Sequence, residues 1–270
     1  MRVKWQVAAH GAAFVLGCSI ATGPTAADEL EEYRKMLADP FANPGLLWVD
    51  QGEALWHTPA GPKQATLEAC DLGLGPGVVD GAYVQLPRYF ADAGRVMDAE
   101  TRIAWCREEL QGIPFVETAK TAFSKRGGRS DMEALIAFVA SRSEGLPLAA
   151  PLEHPEEQAI YALGEALFYR RSAPLDYSCN TCHGAEGQRI RLQELPHLTT
   201  QAGAASAMTT WPTYRISQET LRTMQHRMAD CFWQMRMPDV AYGSDVHVAL
   251  LSFLTRQADG GMMAAPSIKR

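Results

Sequence analysis

A chain of 270 residues has room for one large domain or two of ordinary size, and with 47% hydrophobic and 21% charged residues it can bury a core. Wholesale disorder is excluded, and a formal net charge of −6 argues against a nucleic-acid ligand, which selects a basic excess. The chemistry is left to six cysteines and their spacing.

Arg2 and Lys4 precede an apolar run from about Val7 to Ala21, and small residues lead on to Ala26, Ala27 and Asp28. The pattern predicts a secretory signal over residues 1–27, cleaved near Ala27; loss of Arg2 and Lys4 takes the charge from −6 to −8. Val15-Leu16-Gly17-Cys18 is a weaker rival, a lipoprotein box in which Leu16 fits poorly and Cys18 would carry the lipid. Either way the mature protein is expected outside the cytoplasm, where disulfides persist. No other stretch is long and apolar enough to span a bilayer.

Two halves then follow in the same order. Gly52-Glu53-Ala54-Leu55-Trp56 recurs as Gly164-Glu165-Ala166-Leu167-Phe168, an offset of 112 that also carries Cys70 onto Cys182. Pro87-Arg88-Tyr89 recurs as Pro212-Thr213-Tyr214 at an offset of 125, which carries Arg102 onto Arg227 and Cys106 onto Cys231. Ser130 with Glu133 predicts a capped helix through Phe138 that stops at Gly145. Glu144 to Pro155 is the predicted linker, and Pro155 opens a helix to about Arg170. Ser217 is expected to cap a long helix through Cys231, and Ser244 another ending near Gly260. No alternating strands are evident. With Cys179-Asn180-Thr181-Cys182-His183, a C-x-x-C-H haem-attachment motif, present in the second half alone, the expected fold class is all-α: two cytochrome c-like domains related by internal duplication, the first lacking haem. They are expected over 28–150 (haem-free) and 151–262 (haem-binding), with 263–270 a flexible tail.

Cys179-Asn180-Thr181-Cys182-His183 is the C-x-x-C-H arrangement that attaches c-type haem: two thiols add to the porphyrin vinyl groups and the imidazole reaches the iron. Gly184 is expected to leave room for the ring. A zinc half-site or a thioredoxin-like pair would need a second ligand cluster or a βαβ pattern, and neither is evident. One covalently bound haem c is predicted, because Leu67 and Asp71 replace the first thiol and the imidazole in the first half. Cys70 and Cys106, with no haem to serve, are expected to form a disulfide closing a loop of 36 residues.

The second iron ligand is open on the residues alone. Met237, beside Pro238, suits a plain electron carrier; Met208, Met224, Met228 and Met235 are weaker candidates. Cys231 is the remaining thiol, and Arg227 shares its helix face at i−4, where a cation favours thiolate and binds oxyanions. Arg222 and His226 are expected to add positive charge. Trp48 and Trp56 of the first half are expected in the core, with partner docking the less favoured role for them.

Taken in order, Asn43-Pro44-Gly45, Leu47 to Glu53, Glu100 to Ile103 with Cys106-Arg107, Ser178 to His183, Trp211 to Arg215, and His226-Arg227 with Cys231 resemble the SoxA subunit of SoxAX cytochromes. These are the L-cysteine S-thiosulfotransferases of bacterial sulfur oxidation. The resemblance covers most of the mature chain and is to the single-haem kind. It implies that Cys179 and Cys182 hold the haem and His183 is the proximal ligand. It also implies that Cys231 is the distal ligand and active-site cysteine, carried as a persulfide, and that Arg227 binds substrate. It further implies a periplasmic enzyme that works with thiosulfate, a SoxX-like small cytochrome c subunit and a SoxYZ-like sulfur carrier. The alternative is a periplasmic electron-transfer cytochrome with Met237 on the iron.

Overall fold

The computed structural model describes residues 42–121, 130–190 and 193–269; the predicted signal peptide and Cys18 lie outside them. Helix α1 (Leu46–His57) buries Trp48, Gly52 and Trp56, one stripe at four-residue spacing. A hairpin three residue pairs deep, β1 (Arg88–Phe90) with β2 (Arg95–Met97), leads into α2 (Ala99–Cys106), whose first turn is capped by the Asp98 carboxylate. After a wider turn to Gln111 and the short α3 (Phe115–Thr121) comes α4 (Asp131–Ser141), opened by the predicted Ser130–Glu133 capping box.

The second half has a similar order of helix, hairpin and helices, with further elements after its first helix and a closing strand. Helix α5 (Pro155–Tyr169) starts at the predicted proline, and α6 (Cys179–His183) holds the C-x-x-C-H motif. The hairpin β3 (Arg189–Ile190) and β4 (Gln193–Glu194) and helix α7 (Gln201–Met208) follow. Hairpin β5 (Thr213–Arg215) and β6 (Thr220–Arg222) then lead into α8 (Met224–Gln234), and α9 (Asp245–Gln257) comes after it. The chain closes with β7 (Ser267–Lys269), parallel to β5.

Helix α1 lies along α4, and α5 lies along α9. In both pairs a glycine makes the approach possible. A Cβ at Gly52 would run into the Ala134 carbonyl and the Phe138 side chain; one at Gly164 would run into the Ala249 carbonyl and Phe253. The repeated Gly-Glu-Ala-Leu segment is therefore a packing signature, with the glycine at the backbone-to-backbone contact.

Cys70 and Cys106 are joined in a disulfide with their Cα atoms 5.7 Å apart, inside a core that includes Trp56, Leu67, Leu72, Ile103 and Phe138. Trp48 is buried with Ala134, Ala137 and Leu221, so this cluster spans the two halves. Neither tryptophan offers a docking surface.

Three expectations are corrected. The protein is not purely helical: the three-residue strands are too short to show alternation, yet each hairpin sets the entry to the helix behind it. Ser217 caps nothing, because residues 216–218 form a single tight turn, and Thr223 caps α8 after β6. The tail is not free, because Ser267–Lys269 pairs in register with Thr213–Arg215 and the Ser267 hydroxyl donates to the Thr210 carbonyl.

Arg222 is likewise no part of a positive pocket. It is buried at the junction of the halves, where its Nη1 donates to Glu133 Oε1 at 2.6 Å and its Nε to Gln218 at 2.7 Å. The same Glu133 caps the start of α4, so one carboxylate opens a helix in one half and binds a cation of the other. Gln225 adds a second tie, its backbone N–H donating to Glu100 and its side chain to Asp98 and Thr101.

Two outcomes are expected. Gly52→Ala and Gly164→Ala should each lower stability by about 1–3 kcal/mol or more, through overpacking at a contact that cannot yield, and thermal melts would show it. Burial raises the Glu133 carboxyl to about 7 despite Arg222. A folded-state value above the ordinary one gives stability that is full at low pH and lost as pH rises from about 4.5 to about 7. Glu133→Gln should flatten that part of the pH–stability curve, by at most about 1.4 kcal/mol per pH unit in urea titrations; a gap between the two proteins that does not vary with pH would refute it.

Candidate active site and haem cavity

Residues around α6, α7, α8 and α9 enclose a cavity of about 530 Å³, within the range of small-molecule and cofactor sites. Cys179, Cys182 and His183 reach it from α6, and Arg227, Met228 and Cys231 from α8. The rest of the lining is largely apolar, including Phe168, Leu198, Trp211, Phe232 and Leu254. The structure thus brings the motif and the Arg227–Cys231 pair to one cavity.

Helix α6 is short, and its ends explain how it holds its shape. The Ser178 hydroxyl accepts from the Thr181 N–H at 3.2 Å, and Thr181 Oγ1 accepts from the Ser178 N–H at 3.0 Å. Gly184 matters for a different reason than predicted: a Cβ there would strike Asn180, so the constraint is the helix end itself.

His183 Nδ1 lies 2.9 Å from the Pro196 carbonyl oxygen, which can only accept. Nδ1 therefore carries the proton and Nε2 is left with its lone pair free, the tautomer a metal ligand needs. Burial and the Arg227 charge hold the His183 pKa below its usual value, so the ring is neutral at pH 7.

The thiols are strongly desolvated. Burial pushes Cys179 up to about 12, with Cys231 adding to the rise. Cys231 is also raised: Arg227 pulls it down as predicted, but burial is the larger effect. The cation alone therefore does not produce the expected thiolate. Coordination to a metal, which deprotonates a thiol outright, would.

Met237 is absent from the cavity lining, whereas Met208, Met224, Met228 and Met235 are all in it. Met237 sits instead at the margin of the second-half core. His226 brings no positive charge, because burial and the neighbouring arginines push it down to about 4, outweighing Asp230 at 3.8 Å. Two other cations reach the cavity that the sequence did not single out for it, Arg215 of β5 and Lys269 of β7. Only the sheet pairing brings residue 269 beside residue 215.

In the first half, the arginine and cysteine that the sequence offsets pair with Arg227 and Cys231 are placed differently. Arg102, one turn before Cys106, is fully buried between Phe90 and Trp105, with both Nη atoms on Asp92 and its Nε donating to the Asp71 carbonyl. Arg227 makes no ion pair among the described residues and faces the cavity.

The donor set fits a c-type haem. One imidazole with a free Nε2, two thiols a helical turn apart and a third thiol surround an apolar space, and among the described residues no cluster of three His, Cys, Asp or Glu side chains could hold a bare metal ion.

Comparisons with known proteins agree. The family model for the SoxA/TsdA cytochrome c domain matches residues 51–148, the half that carries the disulfide. A domain of the cytochrome c kind implies covalent haem c. In a crystal structure of SoxXA from P. pantotrophus, one chain superposes with a TM-score of 0.71 at 24% identity, over 89% of this chain and 84% of that one, which establishes the cytochrome c fold. The L-cysteine S-thiosulfotransferase subunit SoxA of Hydrogenobacter thermophilus is 30% identical over 93% of this chain and 92% of its own. The subunit of the same name from Hydrogenophilus thermoluteolus is 46% identical over 93% of this chain and 94% of its own. With relatives at this identity along nearly its whole length, the chain belongs to the SoxA family of L-cysteine S-thiosulfotransferase subunits.

Proposed function

We propose that the chain is the catalytic subunit of a haem-dependent L-cysteine S-thiosulfotransferase, which joins thiosulfate oxidatively to a cysteine of a sulfur-carrier protein. The observation that carries this reading is the cavity shared by the C-x-x-C-H motif, Cys231 and Arg227. The reaction unites the carrier thiol and thiosulfate in a new S–S bond and releases one proton and two electrons. Bound haem would supply a one-electron acceptor beside the reacting sulfur.

The residues divide the remaining work. Cys179 and Cys182 would carry the thioether links, and His183 would bind the iron through Nε2. Cys231 would be the distal ligand and the reacting sulfur, exchanging it through a mixed intermediate. Arg227 would orient the dianion with charge-assisted hydrogen bonds from its planar fork. The apolar lining limits water around the reacting atoms.

The first half is read as a cytochrome c domain that lost its haem after a duplication, so that one haem remains. The matched helix pairs and the equivalent hairpins before α2 and α8 support this. So does the direct Cys70–Cys106 bond at the positions equivalent to Cys182 and Cys231. The domains divide near residue 150, with the second continuing through β7. The electrons would leave through a SoxX-like small cytochrome subunit; one solved structure similar to this chain is that of SoxXA. The sulfur carrier would be SoxYZ-like and would present its cysteine on an accessible arm. A periplasmic location fits this chemistry and the predicted signal; among the described residues no helix is long and apolar enough to cross a membrane.

Cys231→Ala, with haem retained, should lose thiosulfate-dependent reduction of an acceptor in the presence of the carrier, while Met237→Ala should leave the oxidised haem spectrum and its thiolate-type low-spin EPR signal unchanged. A far-red methionine–iron band lost in Met237→Ala would favour the electron-carrier alternative instead. Intact mass of the mature protein should report cleavage near Ala27, one haem, one disulfide and the extra sulfur on Cys231; two haems would contradict the loss at Leu67 and Asp71.

A further inference from the structure

The cavity carries more positive charge than one substrate-binding arginine requires. Arg215 and Lys269 are register partners on the parallel strands β5 and β7, so their side chains leave the sheet on the same face. Both line the cavity with Arg227. The three make no ion pair among the described residues, whereas Arg95, Arg102, Arg107, Arg142, Arg171, Arg222 and Arg256 each lie against a carboxylate. Arg215 Nε is buried and has no hydrogen-bond partner there. Glu194, on the exposed β3–β4 hairpin, is the only carboxylate among the described lining residues.

Three like charges gathered at one partly desolvated wall repel one another, and a protein of net charge −6 has ample carboxylates to neutralise them. They are left for a ligand. The repulsion is visible: burial first, then Arg215 and Arg227, pull Lys269 down to about 8, and burial with Arg227 lowers Arg215. An unpaired buried guanidinium donor and a half-buried ammonium together match a compact tetrahedral oxyanion bearing two charges. A single guanidinium would leave half of that charge uncompensated. The seat also supplies a local positive potential that draws a dianion into an otherwise acidic molecule.

We propose that Lys269 and Arg215, with Arg227, form a three-cation seat for the sulfonate end of a doubly charged sulfur oxyanion, which makes strand β7 part of the specificity machinery. The seat sets which sulfur compounds enter: dianions with a tetrahedral –SO3 end are held, and neutral or singly charged thiols are not. The proposal deepens the thiosulfotransferase reading and rests on it for the identity of the substrate. The binding of the anion itself can be measured without turnover.

The test uses the haem-loaded protein with its small cytochrome partner, and inorganic sulfate as an unreactive probe. In Lys269→Met and Arg215→Gln, sulfate affinity by calorimetry should fall about tenfold or more, as expected for loss of one charge-assisted hydrogen bond. The KM for thiosulfate should rise in parallel, with kcat changed by about threefold at most, the pattern of lost uniform binding. Lys269→Arg should recover most of the affinity, and the haem absorption and midpoint potential should stay where they are in each variant. Sulfate affinity unchanged in both variants overturns the seat. So does a shifted midpoint potential with an unchanged KM, which would assign these cations to the carboxylates of the cofactor. Wild-type protein that binds sulfate through Lys269 but turns over no thiosulfate would leave the seat standing and sink the reaction assigned to it.

Discussion

The approach of α5 to α9 at Gly164 is the constraint on which the site depends. Backbone meets backbone there, with no side chain to act as a spacer. The contact fixes α5, which runs on to α6 and the C-x-x-C-H motif. It also fixes α9, which supplies Leu250 and Leu254 to the cavity floor. Walls held this way are set by the main chain, so the apolar side chains between them can enclose a space without collapsing into it. The Gly52 contact in the first half is of the same kind, yet there the space is filled by a disulfide and a packed core.

The two halves place an arginine and a cysteine four residues apart on a helix in different electrostatic settings. Arg102 is neutralised by Asp92 and stacked between two aromatic rings, and its cysteine partner is consumed in a disulfide. Arg227 makes no ion pair among the described residues, and Cys231 is a free thiol. What separates α2 from α8 is not the way the helix starts, since both are capped and led in by a hairpin. It is whether the cation and the sulfur find partners within their own half. The ties across the junction, Glu133 to Arg222 and Asp98 to Gln225, then hold α8 against the first half. The first half thus serves as a rigid mount for α8.

His183 and Cys231 also show why burial cannot be read one way. For the imidazole, desolvation is useful, because it keeps the ring neutral and the hydrogen bond to Pro196 aims the remaining lone pair. For the thiol the same desolvation opposes ionisation, and Arg227 offsets only part of it. A site with these two groups is therefore incomplete as protein alone.

The sequence by itself determined the local signals: the Ser130 and Pro155 helix starts, the Cys70–Cys106 pairing and the C-x-x-C-H motif. It also gave the Arg227–Cys231 spacing, which requires only that α8 be a helix. Each depends on residues close in the chain or on a repeat that can be counted. The tertiary structure decided what depended on distant pairing. Arg222 and His226 were indistinguishable from Arg227 as charges along one segment, and only the packing buried the first against Glu133 and drove the second neutral. Lys269 lies 42 residues beyond Arg227 in a segment that reads as a loose tail, and a three-residue parallel pairing carries it into the cavity. Strands that short have no periodicity to detect, since their stability comes from the partner strand and from what they cover rather than from their own residues.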